Sequence, residues 1–457
     1  MQLKQRRIGA RLRRASERVL EQRRSLDMDP ALAIAGVIAA PAAMAAAQPG
    51  EWELNSAILF YSEADRVSAI EPVFQASRYF NNDRIFSAKL VVDALTGASA
   101  NGAVPSQDFQ TFTRPSGRGS FTVAPGEVPL DDTFRDTRLA LSSSWAQPLA
   151  QNLRGSFGLN ISKEYDYLSL GASSVLDWDF NKKNTTLTLG LGYAQDQVSP
   201  EGDIPTALAP QSYARGNSAD EAESNYALQD GSDDAERAMR DSSASKSVID
   251  LLLGVTQVID RRSLLQVNYS LSLSDGYLTD PFKVVSVVDG SSGAPLSQIY
   301  ENRPDSRAKH SVFVRGKRAI GDDDVLDLSY RYLFDDWGMT SHTADMRYRW
   351  GLGEWFLQPH LRYYMQSASD FYQGFLIDGQ PLPAEVSADY RLGDMQALTA
   401  GIEVGRTAGL WGNWRVALEY YRQTPDEPGG KPGALAGLEL TPAVDAVMVR
   451  FNYDFKL

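Results

Sequence analysis

The sequence predicts an all-β chain: a transmembrane antiparallel up-and-down β-barrel of about sixteen strands, with short periplasmic turns and long extracellular loops. Three observations carry that expectation. Apolar and polar residues alternate with a period of two through most of the chain after Trp52, as they do in strands whose two faces meet different surroundings. The links between the alternating segments are alternately short and long, the layout of an outer-membrane barrel. Aromatic residues gather on the apolar face near segment ends, where an amphipathic ring favours the boundary between lipid and water.

The elements follow in order. Residues 1–47 read as a signal peptide. Nine basic residues lie between Lys4 and Arg24, and the apolar run "ALAIAGVIAAPAAMAAA" ends in small residues that place cleavage after Ala45 or Ala47. Residues 48–457 are then a single barrel domain. Its strands are expected to begin near residues 51, 67, 84, 134, 152, 166, 185, 245, 263, 308, 325, 339, 354, 386, 414 and 444. In "SLLQVNYSLSLS", Leu265, Val267, Tyr269, Leu271 and Leu273 share one face, and Gln266, Asn268, Ser270 and Ser272 share the other. "NLRGSFGLNIS", "TTLTLGLGYAQ" and "VLDLSYRYLF" repeat the arrangement. The turns "NNDR", "NKKN", "DRRS", "GDDD" and "GLGE" follow even-numbered strands, whereas long loops occupy 97–133, 198–243, 275–307, 368–385 and 425–443. Trp145, Trp178, Phe180, Tyr193, Tyr348, Trp350, Trp355 and Trp414 fall at girdle positions. The last strand, "AVMVRFNYDFKL", is expected to pair with the first, because an open edge has no place in hydrocarbon. Its aromatic pattern resembles the signal read by the outer-membrane insertion machinery, here with Leu457 last and Phe455 two positions before it.

Bulk properties agree with this and narrow the function. A mean hydropathy of −0.31 and the lack of any later run of 18 apolar residues exclude a helical span, but window hydropathy misses alternating strands. The chain has no cysteine, which excludes disulfides, thiolate metal sites and haem attachment through cysteine. Net charge is −13, and removing the nine basic and four acidic residues of 1–47 leaves −18, so nucleic acid is not an expected partner.

Several stretches carry a family resemblance: "FYSEADRVSAIEP", "LVVDALTGASANGA", "RPDSRAKHS", "DDWGMTSHTADMRYRW", "QPHLRYYMQSASDFY" and "ADYRLGDMQALTAG". They are spread over essentially all of the chain after the signal. The chain resembles a proteobacterial outer-membrane β-barrel family of unknown function, porin-like in class. The resemblance implies an exported barrel in the bacterial outer membrane and supplies no activity and no catalytic residues. Family members are often encoded beside periplasmic redox proteins, which the resemblance offers as a hint of pathway.

Function is expected on the inward face. Alternation points Arg315, Lys317, Arg331, Arg347, Arg349 and Arg362 into the lumen from neighbouring strands, and Glu71, Asp93, Asp177 and Asp179 from earlier ones. These ten are candidate pore-lining residues. A basic wall facing an acidic one would give a transverse field that orients polar solutes. The other reading is a ladder of ion pairs, since Asp327, Asp335 and Asp345 lie close to the arginines. Loop 97–133 folds inward as a constriction or plug, or stays a mobile surface loop. Residues 198–243, with ten acidic and three basic residues, suggest a disordered extracellular loop. Only three histidines are present: His360 on the lumen face, and His310 and His342 on the outward face near the outer rim. No G-x-S-x-G occurs, so no enzyme, cofactor or metal site is expected. The expectation is a porin-like channel for small polar solutes with a charged lumen. The alternative is a non-conducting barrel scaffold that binds a periplasmic or surface partner, such as a redox protein. Outer-membrane lipid, lipopolysaccharide and the insertion machinery are the other expected partners.

Overall fold

Sixteen antiparallel strands close into one ring in the computed structural model, which describes residues 49–457 except 65, 115–118, 238–240 and 407–411. The signal-peptide expectation for 1–47 lies outside the described residues. In chain order the barrel strands are β1 (Trp52–Glu63), β2 (Val67–Phe80), β3 (Arg84–Ala100), β4 (Leu130–Ala150), β5 (Leu153–Lys163), β6 (Tyr167–Phe180), β7 (Thr185–Val198) and β8 (Ala244–Asp260). They continue as β9 (Ser263–Gly276), β10 (Ser306–Ile320), β11 (Asp324–Asp335), β12 (Thr340–Leu352), β13 (Trp355–Gln366), β14 (Met395–Arg406), β15 (Asn413–Pro425) and β16 (Val444–Lys456). Strand β16 pairs with β1 from Glu53↔Lys456 to Glu63↔Ala446, so every barrel strand has two neighbours. Closure satisfies the backbone groups that an edge would leave unpaired in hydrocarbon.

The faces sort as the alternation requires. Leu159, Phe74, Leu191 and Leu418 are more than half exposed, and Val267 is 40% exposed, all on the outward face. On the opposite face, Arg315, Lys317, Asp327 and His360 are each less than a tenth exposed. The tight turns hold the backbone geometry their residues allow. Asn181, Lys182 and Lys183 all have positive φ (48°, 55° and 66°), so this turn takes a left-handed course between β6 and β7.

Aromatic residues mark both edges of the lipid band. Near the short turns, Phe80 packs on Trp145 (centroids 5.5 Å), Trp178 on Phe180 (4.8 Å) and Trp355 on Trp414 (5.3 Å). Near the loops, the Tyr269 hydroxyl lies 2.8 Å from His310 Nδ1, and His310 stacks on Phe334 at 4.8 Å. The Tyr330 hydroxyl lies 2.6 Å from His342 Nδ1. His342 and Trp350 share the outward face of β12, and the eight residue steps from one to the other cover about 26 Å of strand at ~3.3 Å each. That matches a tilted strand crossing an apolar band of ~25 Å.

Two expectations about the loops need correction. The fourteenth strand begins at Met395 rather than near 386, because Val386, Ala388 and Leu392 are buried in loop structure and Tyr390–Leu392 forms a 3-10 turn. Residues 198–243 are not featureless: they hold a short strand, Tyr213–Gly216, and a helix, Ala219–Arg237. Ala222 and Tyr226, one helical turn apart, are buried, and the Tyr226 hydroxyl lies 3.2 Å from Thr113 Oγ1.

The long loops build a second layer with its own apolar core. Tyr213–Gly216, Phe109–Thr113 and Ser120–Val123 form one three-stranded sheet, and Pro295–Tyr300, Val284–Val288 and Leu376–Ile377 form another. Phe112, Phe121, Tyr213, Val284 and Tyr300 pack together from three different loops. Val104, Val288 and Leu435 join a fourth. Phe112 is fully buried, so Phe112→Ala is expected to cost the loop layer ~3–5 kcal/mol. The check is limited proteolysis: cleavage within 101–129 and 199–243 should accelerate while the barrel stays folded, as read by heat-modifiable gel mobility.

Candidate functional site

The lumen wall from β10 to β16 is laced with ion pairs. Asp327 accepts from Arg315 Nε and Nη2 at 2.8 and 2.6 Å, and Lys317 Nζ lies 3.0 Å away. Asp345 gathers three basic side chains: His360 Nε2 at 2.8 Å, Arg362 Nε at 2.9 Å and Arg347 Nε at 3.6 Å. His360 Nδ1 lies 2.7 Å from Glu419 Oε1, although β14 runs between their strands. That contact is possible because Gly401, facing both His360 and Glu419 in register, has no side chain. A Cβ there would come within 2.5 Å of Glu419 Cγ. Ala417 allows the same reach one step on, where Arg450 meets Glu403 at 3.2 Å. Arg331 lies over Phe313 at 5.7 Å and Arg349 over Phe356 at 3.8 Å. The six predicted basic residues therefore share one wall, interleaved with carboxylates and aromatic rings.

The four predicted acidic residues stand elsewhere. Asp177 and Asp179 of β6 accept from Thr188 and Thr186 of β7, both at 2.7 Å. Asp93 of β3 pairs with Arg138 of β4. Glu71 of β2 comes beside Asp93, between the Ile70↔Ala94 and Val73↔Val91 pairs.

Glu71 and Asp93 line a cavity of 530 Å3 whose wall is β1–β4 with the β5–β6 link. Its roof comes from far around the ring. Lys283 belongs to the link after β9, and Tyr390 and Arg391 to the link after β13. Residues from such distant links meet the β1–β4 wall only by reaching across the outer mouth, so the loop layer caps the barrel. Loop 97–133 is part of this cap. Lys283 Nζ donates to the Ala100 carbonyl, Val284 N–H to the Asn101 carbonyl (2.8 Å), and Val104 N–H to Ser286 Oγ (2.9 Å). Gly102 has φ 94°, and a Cβ there would lie 2.5 Å from the Val284 carbonyl oxygen.

A buried charge knot ties the roof. Asp389, 1% exposed at its side chain, accepts from Arg391 Nε at 2.9 Å and from Arg303 Nη2 at 3.0 Å. Arg303 Nε lies 2.6 Å from Glu301, which also accepts from Ser387 and from the Asp280 N–H. Burial alone would raise the Asp389 pKa, but Arg391, Lys283 and Arg303 together hold its carboxyl well below the usual carboxylate range.

The pattern of the family described as "Protein of unknown function (DUF3570)" matches residues 30–455. The chain belongs to this family. No curated protein matches this DUF3570 chain. Among solved structures it is similar to one described as a bacterial polysaccharide outer membrane secretin, at 10% identity and TM-score 0.44, covering 89% of this chain and 98% of that one. It is also similar to the CymD monoaromatic hydrocarbon channel (9% identity, TM-score 0.38, 93% of each chain). A third likeness is to the outer membrane protein OpdK from Pseudomonas aeruginosa (9% identity, TM-score 0.36, 89% of this chain and 99% of that one).

Sequence reasoning missed several residues of the DUF3570 lumen and cap. Glu419, Glu403 and Arg450 bond across an intervening strand, a relation that alternation within one strand does not contain. A small residue between two strands bearing opposite charges, such as Gly401 or Ala417, is the signal that would have shown it. Asp389, Glu301 and Arg303 lie in links, where only the alternation of Val386, Ala388 and Leu392 hinted at burial.

Glu164, in the β5–β6 link, lines the same cavity. Burial, with Asp136 and Asp166 adding to it against Arg138, pushes its carboxyl up to about 7. With the roof open it would ionise near the ordinary ~4.3. A raised value means that closing the roof takes up a proton between those limits. Closure should therefore weaken as pH rises from ~4.3 through 7 and level off above. With the intrinsic base-catalysed rate divided out, protection of the roof loops is expected to be lower at pH 8 than at pH 5, and Glu164→Gln to reduce that difference in protection.

Proposed function

We propose that this protein is an outer-membrane channel for small polar solutes, closed at its outer mouth by the loop cap and entered when the cap opens. The observation that carries the reading is the roofed cavity, lined by charged lumen residues and covered by links from across the ring. A sixteen-strand barrel is wide enough that side chains on their own do not fill it. The wall of paired charges gives such a lumen a polar surface that favours hydrated and dipolar solutes over apolar ones. In this reading Arg315, Lys317, Arg331, Arg347, Arg349 and Arg362 line one side of the path, and Glu71, Asp93, Asp177 and Asp179 line the other.

Planar-bilayer recording tests it. The intact barrel is expected to give discrete currents of low open probability. Reversing Arg347 and Arg349 together to Glu should shift permeability toward cations by several-fold, because two positive charges become two negative ones in a confined field. Unchanged selectivity would remove this wall from the path. The interlocked cap favours a second reading, a non-conducting scaffold that holds a periplasmic or surface partner. A correctly folded barrel that stays silent even with its cap loosened would favour that reading over the channel.

A further inference from the structure

The capped cavity has an axial charge pattern of its own. Its wall is predominantly acidic, with Glu71, Asp93, Asp136 and Glu164 around a single arginine, Arg138. Its outer end gathers three basic groups, Arg66 in the β1–β2 link with Glu63 beside it and Lys283 and Arg391 in the roof. Most of these charges have partners within the protein. Arg138 takes Asp93, Arg391 takes Asp389 and Lys283 takes the Ala100 carbonyl.

Two of the lining groups, one of each sign, keep buried atoms without a hydrogen bond. The Arg66 side chain is 10% exposed, its nearest paired carboxylate, Glu63, lies 3.8 Å away, and its buried Nε and Nη1 have no hydrogen-bond partner. Asp93 gives one oxygen to Arg138 and has the Glu71 carboxyl within hydrogen-bond reach, while its buried Oδ1 receives no N–H donor. A buried polar atom without a partner destabilises the fold, more so when it belongs to a charged group. Both orphans line the cavity, toward opposite ends. A cavity of 530 Å3 is within the ~300–1,000 Å3 range of small-molecule sites.

We propose that this cavity binds a small zwitterion, its carboxylate on Arg66 beneath the roof and its ammonium against Asp93 and Glu71 on the wall. The inference rests on the channel reading, of which it names the solute class. A carboxylate would supply acceptors to Arg66 Nε and Nη1, and an ammonium would supply a donor to Asp93 Oδ1. Neither a simple anion nor a simple cation satisfies both ends.

The test uses the purified full-length protein in detergent and three probes: L-alanyl-L-alanine, its N-acetyl derivative and its methyl ester. Isothermal titration calorimetry is expected to show the free dipeptide binding roughly tenfold or more tighter than either derivative, each of which loses one charged contact. Arg66→Gln should weaken the dipeptide to the level of its methyl ester and leave the ester unchanged. Asp93→Asn should erase the difference between the dipeptide and its N-acetyl form. Heat-modifiable gel mobility confirms that each variant is folded. A dipeptide that does not bind, that binds no better than its derivatives, or whose preference survives both substitutions overturns the proposal. Currents recorded from the same preparation separate the two readings. A conducting barrel with no preference for the dipeptide sinks the zwitterion site alone, and a silent barrel that binds it with the expected preference sinks the channel alone.

Discussion

Asp389→Asn is expected to open the cap and leave the ring of strands standing. The carboxylate is almost wholly buried and holds Arg391 and Arg303. Arg391, 55% exposed at its side chain, can turn to water, but Arg303, at 11%, cannot. Glu301 then remains its main counter-charge at 2.6 Å, already shared with Ser387 and the Asp280 N–H. Removing one partner from a buried ion pair typically costs ~3–5 kcal/mol, because the other charge is left without compensation. The barrel strands do not depend on this knot, since β13 and β14 pair with each other from Trp355↔Arg406 to Gln366↔Met395. Hydrogen exchange within 277–305 and 367–394 should therefore rise steeply, while exchange in the strands and heat-modifiable mobility stay near those of the parent. Acid should act in the same direction. The Asp389 carboxyl is held below its unfolded value, so its contribution is present above ~3.9 and is lost as pH falls below that.

The second large effect is expected at Asp345→Asn. Two arginines and a histidine converge on this carboxylate, and its own side chain is 13% exposed. Arg347 and His360, at 12% and 7%, would be left facing each other across 3.5 Å, with Glu419 still 2.7 Å from His360. A loss of ~3–5 kcal/mol is expected, read as a lower temperature for the folded-to-unfolded gel shift and a faster unfolding rate. Arg362→Gln, removing a partner that is 42% exposed, should cost no more than ~1 kcal/mol. If both substitutions cost alike, the ladder is a solvated surface and not a buried network.

The sequence made the ring legible because a membrane strand has two unlike faces. Val267, Phe74 and Leu159 must face lipid, where a charge costs ~2–4 kcal/mol at mid-depth, and this constraint writes a period of two into the chain. Fourteen of the sixteen expected starts lie within two residues of the observed ones. The two larger misses have a physical cause. Val386, Ala388, Tyr390 and Leu392 alternate with Ser387, Asp389 and Arg391 as a strand would, but Val386, Ala388 and Leu392 pack inside the cap and Tyr390 lines the cavity beneath it. Periodicity reports two unlike faces and does not say whether the apolar one meets lipid or protein. Strand β4 begins four residues early because Leu130 and Asp131 extend its pairing past a bulge, opposite Ala100 and Ser99.

The cap was harder to read. Phe112, Tyr213, Val284 and Leu376 lie far apart in sequence and become a core only when their links meet over the mouth. The acidic composition of 198–243 masked the pair Ala222 and Tyr226, whose spacing is that of one helical face. In the lumen, alternation gave the direction of each charge but not its partner. Which carboxylate meets which arginine depends on register and on the small residues at 401 and 417.

Thiol labelling from outside the cell tests the capped lumen most directly. The chain has no cysteine, so a single cysteine at Ala69, on the cavity wall, reports without background. The probe is a polymer-bearing maleimide too large for general porins, and the reference is a cysteine at Ser291, in an exposed turn of the cap. Labelling at position 69 is expected to be slower than at 291 by one to two orders of magnitude, as for a site reached only through local opening, and to accelerate when Asp389→Asn is added. Equal rates at the two positions in the otherwise unaltered protein would contradict a mouth closed by its own loops.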